Sequence, residues 1–287
     1  MPSALSQPRL QRRRTDTERG EARFALAQDV CVHTTMREAN DRGYECLILA
    51  DGTGATDMGN HQSALKMVTM QGGVFGAVGK ADAICAYLAA LPGSAPSVNV
   101  SDAASASTRT LLSVPSAAPS AFSFAAGSTA LLMIDWQKDF LDVGGFGHSL
   151  GNDVAPLQAA LTPAAAVLSA ARAAKIPIVH TLEAHHPDMS DCPGSKKRRC
   201  PAIGTTLDTA RGRVLIAGEP GNAIVDAVAP IAGELLVHKP GKGAFYGTKV
   251  RPTHARRTHS HALHRSDSRR AIFGSFMRSS SGAGSPT

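Results

Sequence analysis

Three side chains in this sequence carry the chemistry of acyl transfer, and each falls where a strand and a helix would meet. The first is Cys31, in Asp29-Val30-Cys31-Val32-His33-Thr34. The stretch reads as the mouth of a helix, with Asp29 as N-cap, Arg37, Glu38 and Arg42 on a polar face, and Gly43 as the stop. A thiol there faces unpaired backbone N–H groups and the positive end of the helix dipole, which predicts a lowered cysteine pKa. Two readings stay open for this stretch alone, a nucleophile or a buried structural cysteine. The second residue is Asp135, which closes the apolar run Thr129-Ala130-Leu131-Leu132-Met133-Ile134. The third is Lys239, in Val237-His238-Lys239-Pro240-Gly241-Lys242-Gly243-Ala244-Phe245. Carboxylate, ammonium and thiol supply a base, a charge stabiliser and a nucleophile. Taken singly, an Asp ending a strand is commonly a turn residue, and a Lys there is commonly solvated.

The elements that must position them alternate. Strands are expected at 44–50, 74–78, 129–136, 176–182 and 234–238. Helices are expected around Cys31 and at 61–71, 81–91, 157–175 and 221–229. Continuous apolar strands such as Leu131-Leu132-Met133-Ile134 suit burial on both faces. The fold class is therefore α/β, an open and mostly parallel sheet with helices on both faces. In such sheets ligands bind beyond the carboxyl ends of the strands, where Asp135 and Lys239 lie. Asp51-Gly52-Thr53-Gly54 follows a strand but lacks a full phosphate-binding pattern and reads as a plain turn.

Composition divides the 287 residues further. Residues 1–23 are Arg-rich and aperiodic, and are expected to be disordered. Residues 24–92 form one αβ block carrying Cys31. Residues 93–128 are rich in Ser, Ala and Pro and read as a linker, flexible or partly extended. Residues 129–248 form a second αβ block carrying Asp135 and Lys239, with a long polar loop over 183–211. From 249 to 287 there are eight Lys or Arg against one Asp, a surplus equal to the formal net charge of +7. The basic character thus belongs to the ends, and a disordered basic tail is expected there. A nucleic-acid arm is disfavoured because aromatics are not interleaved with the charges. Five cysteines are an odd number without framework spacing, which suits a reducing cytoplasm. No apolar run approaches the length of a membrane span.

Longer motifs narrow the reading. Asp135-Trp136-Gln137-Lys138-Asp139-Phe140 resembles the D-x-Q-x-D-F signature of the isochorismatase-like cysteine hydrolases. The Lys239 segment resembles their catalytic-lysine loop, and Asp29-Val30-Cys31-Val32 their nucleophile elbow. Thr35-Met36-Arg37-Glu38-Ala39-Asn40-Asp41-Arg42-Gly43, Gly54-Ala55-Thr56-Asp57, Met70-Gln71-Gly72-Gly73-Val74-Phe75-Gly76 and Gly218-Glu219-Pro220-Gly221 are most similar to the biuret amidohydrolase branch. The resemblance implies a three-layer Rossmann-type fold and a small urea-like substrate. It gives Asp135 the role of general base and acid, Lys239 that of charge stabiliser, Cys31 that of nucleophile and Gln71 that of substrate contact. It also implies a homo-oligomer without a cofactor. Some relatives use a metal held by Asp and two His. Glu183-Ala184-His185-His186-Pro187 offers no convincing third ligand, so no metal is expected here. Vinyl ether hydrolysis, as in isochorismatases proper, is the alternative within the fold.

The order of the blocks departs from that pattern, in which Asp and Lys precede Cys. One expectation is a circular permutant, with 93–128 spanning the join and both blocks building one sheet. The other is an inactive rearranged remnant. The family has an apolar strand before its nucleophile, and here only Phe24-Ala25-Leu26-Ala27 stands in that place. A missing central strand would leave backbone groups unpaired.

Overall fold

The computed structural model describes residues 25–26, 28–90, 111–125 and 128–248. The expectations for 1–23, for the tail 249–287 and for the 93–110 part of the linker fall outside those residues. The described residues belong to one compact unit.

Two blocks of strands share a sheet. The first block supplies β1 (Ala25–Leu26), β2 (Leu47–Leu49) and β3 (Ala77–Gly79). After β4 (Leu111–Val114) and β5 (Phe122–Ala125), the second block supplies β6 (Leu131–Ile134) and β7 (Ile178–Glu183). A small ribbon, β8 (Thr206–Asp208) and β9 (Gly212–Arg213), precedes β10 (Leu235–Lys239). The main sheet has the order β10-β7-β6-β1-β2-β3, and every neighbouring pair in it is parallel. One block runs outward from β6 and the other outward from β1, so the direction of winding reverses between them.

The strand that a remnant would lack is present. Ala25 pairs with Ile48 on one side and with Leu132 on the other, and Leu26 pairs with Met133. Two residues suffice to join the blocks, because successive residues of a strand direct their N–H and C=O groups to opposite neighbours.

Both faces of the sheet are covered, as period-two alternation requires. Three short helices, α4 (Lys138–Leu141), α5 (Phe146–Ser149) and α6 (Ala155–Ala159), follow β6 and lead to α7 (Leu161–Ala173). Leu47, Leu49, Leu131 and Met133 pack in the larger core, with Ile84 and Leu88 of α3 (Ala81–Ala89) and Val167 and Leu168 of α7. Ile48 and Ile134 point the other way, into a core with Met36 of α1 (His33–Asp41) and Val68 of α2 (Met58–Gly73). The three layers expected from the sequence are therefore present.

Three local expectations are corrected. Residues 111–125, inside the presumed linker, form the antiparallel hairpin β4–β5. Val114 and Phe124 are fully buried in the larger core, and the turn residue Ala118 pairs with Val78 of β3 through two backbone hydrogen bonds. The hairpin thus covers an edge strand whose backbone would otherwise be open to other chains. The helix expected at 221–229 is two single 3-10 turns, Pro220–Asn222 and Asp226–Val228. Extended backbone between them lets the Ala223 carbonyl accept from Lys138 N–H and lets Val225 N–H donate to the Trp136 carbonyl. The third is the start of the Cys31 helix. A π turn, Gln28–Val32, leads into α1, and Val32 occupies the cap position with helical backbone. The stop is as expected. Gly43 has φ +89°, and Tyr44 N–H bonds back to the Ala39 carbonyl.

Phe124→Ala tests the hairpin's place in the core. Emptying a fully buried aromatic site costs about 3–5 kcal/mol, so urea denaturation of this variant should show a midpoint far below the wild type. A flexible linker would leave the midpoint unchanged.

Candidate active site

Parallel strands bring their carboxyl ends to one rim. Along the rim stand Lys239 at the end of β10, Glu183 at the end of β7, Asp135 just after β6, and Cys31 in the turn after β1. Lys239 and Glu183 are register partners. Neighbouring strands lie about 4.8 Å apart, so these four side chains can meet.

They do meet. Lys239 Nζ lies 2.7 Å from Asp135 Oδ2, with both side chains essentially inaccessible to water. Asp135 Oδ1 accepts the Thr181 hydroxyl at 2.8 Å, and Lys239 Nζ also donates to the Gly241 carbonyl at 3.1 Å. Cys31 Sγ, a carboxylate oxygen of Asp135 and one of Glu183 all lie within 4.8 Å of one another. The Cys31 thiol donates to Glu183 Oε2 at 3.8 Å. Asp135 holds φ +58°, a left-handed conformation that Asp tolerates better than most residues. Such backbone is common where a side chain must be aimed at a site.

The signature around Asp135 divides its work. The Gln137 side chain accepts Glu183 N–H at 2.7 Å and donates to the Glu183 carbonyl at 3.1 Å, fixing the end of β7. Asp139 accepts Leu215 N–H at 3.0 Å and so ties down the loop that follows β7. Alternate positions therefore serve the site, the neighbouring strand and the covering loop.

The lysine loop docks on the cysteine helix. Ala244 N–H donates to Thr35 Oγ1 at 3.1 Å, and Phe245 stacks on Tyr44. The next lysine, Lys242, sits 3.0 and 2.9 Å from the two Glu183 oxygens. Lys196, on the short helix α8 (Gly194–Arg199) within the polar loop, reaches the same carboxylate at 2.7 Å. Its other two protons go to Pro240 O at 2.7 Å and His185 Nε2 at 2.8 Å. An ammonium only donates, so Nε2 accepts and Nδ1–H faces Asp191 at 3.2 Å.

Electrostatics follow from burial and neighbours. Burial pushes the Cys31 thiol well above its ordinary range, and Asp135 adds to the shift, against the pull of Lys239. This reverses the expected lowering, because desolvation outweighs what the helix start offers. Burial opposes the Lys239 ammonium, but Asp135 foremost and then Cys31 and Glu183 outweigh it, so its pKa is raised. Burial likewise opposes the Glu183 carboxylate, and Lys242, Lys196 and Lys239 together overcome it and hold its pKa below the ordinary value. His185 is lowered by burial and by Lys196.

Beside the cluster lies a groove of about 420 Å³ lined by Thr34, Glu38, Lys196, Arg199, Lys242 and Tyr246 among others. Lys242 belongs both to its wall and to the Glu183 pair, and so connects groove and cluster. Gln71 is exposed at the kinked end of α2, with φ +53°, and is not part of the groove's lining. Cys31, Asp135 and Lys239, chosen from the sequence, are brought together. Glu183, Lys196 and Lys242 also belong to the cluster, and sequence reading assigned them no role. For Glu183 the signal was available, a carboxylate ending a buried strand just as Asp135 does. Cys31, Asp135 and Glu183 supply three atoms of the kinds that bind metals, but three ammonium groups already outnumber the two carboxylates.

The isochorismatase domain model matches residues 26–79 and 129–260, well over half of the chain. The chain belongs to the isochorismatase family. The two matched segments are the two strand blocks, together with part of the tail. This family member is similar to ureidoacrylate amidohydrolase RutB of Azorhizobium caulinodans, 28% identical over 138 residues, covering 46% of this chain and 61% of that one. With RutB of Methylorubrum extorquens the identity is 31% over 139 residues, covering 47% and 56%. The chain thus spans about six-tenths of the length of these curated relatives. A crystal structure of an isochorismatase family protein from Desulfovibrio vulgaris is 29% identical, covers 42% of this chain and 56% of that one, and gives a TM-score of 0.30.

The Asp135–Lys239 pair makes a direct stability test. Lys239→Met strands a buried carboxylate, at a cost of about 3–5 kcal/mol. The double variant Asp135→Asn/Lys239→Met should recover much of that loss in urea denaturation, because no unpaired charge remains.

Proposed function

We propose that the protein hydrolyses a C–N amide bond in a small urea-like compound, a biuret or a ureido-amide, through a thioester on Cys31. The observation that carries this reading is the convergence of Cys31, Asp135 and Lys239 from different strands into one buried cluster. Asp135 takes the thiol proton as Cys31 Sγ attacks the substrate carbonyl. Lys239 and backbone N–H groups around Cys31 stabilise the charge that develops on oxygen. Asp135 returns the proton to the leaving nitrogen as the C–N bond breaks, and ammonia or an amine departs. Water, giving its proton to Asp135, then attacks the thioester, and the thiolate leaves and is reprotonated.

Similarity to ureidoacrylate amidohydrolases over six-tenths of their length supports an amide rather than a vinyl ether as the bond cleaved. Gln71 is assigned to the substrate on its motif alone. The reading needs no metal or cofactor, since the lysines supply the positive charge. We also infer that the two blocks form one site in permuted order, which the docking of the Lys239 loop on α1 supports. A cytoplasmic homo-oligomer completes the proposal, and the odd cysteine count agrees with a reducing compartment.

Purified protein should release ammonia from biuret or a ureido-amide. Cys31→Ala should abolish the release, and Asp135→Asn should lower kcat by about 10²–10⁴-fold. Equal rates in wild type and Cys31→Ala, or no release from either, would show an inactive remnant. Turnover of isochorismate alone would favour the vinyl ether reading.

A further inference from the structure

Glu183 has no part in the proposed reaction, yet its carboxylate is the one that accepts the Cys31 thiol. Its side chain is fully buried at the end of β7. Gln137 holds its backbone N–H and carbonyl, so the strand end cannot drift. Oε2 accepts the Cys31 thiol at 3.8 Å, while Oε1 takes Lys196 at 2.7 Å and Lys242 contacts both oxygens. Asp135 is likewise engaged at each oxygen, one by Thr181 and the other by Lys239. In the resting site the thiol's hydrogen bond goes to Glu183.

We propose that Glu183 is a positioning residue for the nucleophile: braced by Lys196 and Lys242, it accepts the Cys31 thiol and keeps the proton on sulfur until Asp135 takes it. Only the label nucleophile rests on the function proposed above; the contact itself does not. No bond is made or broken at Glu183, and its carboxylate stays ionised throughout. Two lysines hold it so firmly that it makes a poor base, which suits a group that orients a proton without removing it. A protected thiol also resists the oxidation to which an exposed thiolate at this rim would be open.

The charged groups facing Cys31 are Asp135 after β6, Glu183 on β7, Lys239 on β10 and Lys242 in the loop beyond it, with Lys196 of α8 behind Glu183. Removing the anion and removing the cation must therefore move the thiol in opposite directions. The measurement is the ultraviolet thiolate absorbance against pH, corrected by subtracting Cys31→Ser, and it needs no substrate. In Glu183→Gln the Cys31 midpoint should fall by about one pH unit, a tenfold gain in thiolate at a given pH below it. In Lys242→Met, on a half-exposed side chain, it should rise. A Glu183→Gln profile that coincides with wild type, in protein with an unchanged circular dichroism spectrum, overturns the proposal. If Glu183→Gln does not fold, Lys242→Met decides: a rise supports the bracing of Glu183 against the thiol, and an unmoved midpoint overturns it. Absent hydrolysis in wild type would sink the proposed function and leave this titration intact.

Discussion

Everything near the rim depends on one buried contact, the 2.7 Å pair between Lys239 and Asp135. Removing two charges from water costs several kcal/mol per ion, and only close geometry with further hydrogen bonds repays it. The Thr181 hydroxyl and the Gly241 carbonyl supply those bonds. Thr181 lies on β7 between the strands that carry the two ions, so the pair fixes the register of three strands at once. A slip of one residue would turn Lys239 to the other face and leave Asp135 alone. The pair is thus as much a constraint on the sheet as a product of it.

Cys31 joins this pair across the point where winding reverses. In open parallel sheets a crevice forms there, because the connections on either side leave in opposite directions. Here β6 starts one outward run and β1 the other, and Asp135 and Cys31 flank the gap. Such a crevice depends on which strands are neighbours and not on which is made first. Chain order and strand order are separable, provided the connection between blocks can span the molecule. Residues 111–125 lie on that connection, and they add a covering hairpin at the β3 edge before the chain enters β6 at the centre.

The sheet is legible because its strands are short apolar runs closed by polar or turn residues, and their length and those flanking residues separate them from helices. Asp135 and Lys239 were legible for the same reason, since a charge that ends such a run sits at the rim. Glu183 carries that signal too, but the apolar run ends at Leu182, one residue before the strand does. Lys196 gave no signal at all. It sits among four consecutive basic residues in a polar loop, and only the fold turns one of them inward. In the hairpin, Leu112, Val114, Phe122 and Phe124 alternate with polar neighbours, yet the Ser, Ala and Pro around them dominated the composition. The thiol is not legible, because a helix start in the sequence carries no sign of its burial. Local sequence reports dipoles, whereas desolvation depends on every layer packed above.

That burial does not argue against a nucleophile. Cys31 resists losing its proton to water because the thiolate would be created as an additional buried charge. Transfer to Asp135 is a different reaction. One carboxylate charge disappears as the thiolate charge appears, and the total inside the site stays constant. Three ammonium groups face Asp135 and Glu183, so the cluster carries one surplus positive charge with a neutral thiol, and the same surplus after the internal transfer. The ammonium groups that face the two carboxylates also lie close enough to attract a sulfur anion a few ångströms away. Resistance to losing the proton to solvent and ready transfer within the site are therefore compatible. The surplus charge is then available for the anionic oxygen that forms when the thiolate meets a carbonyl.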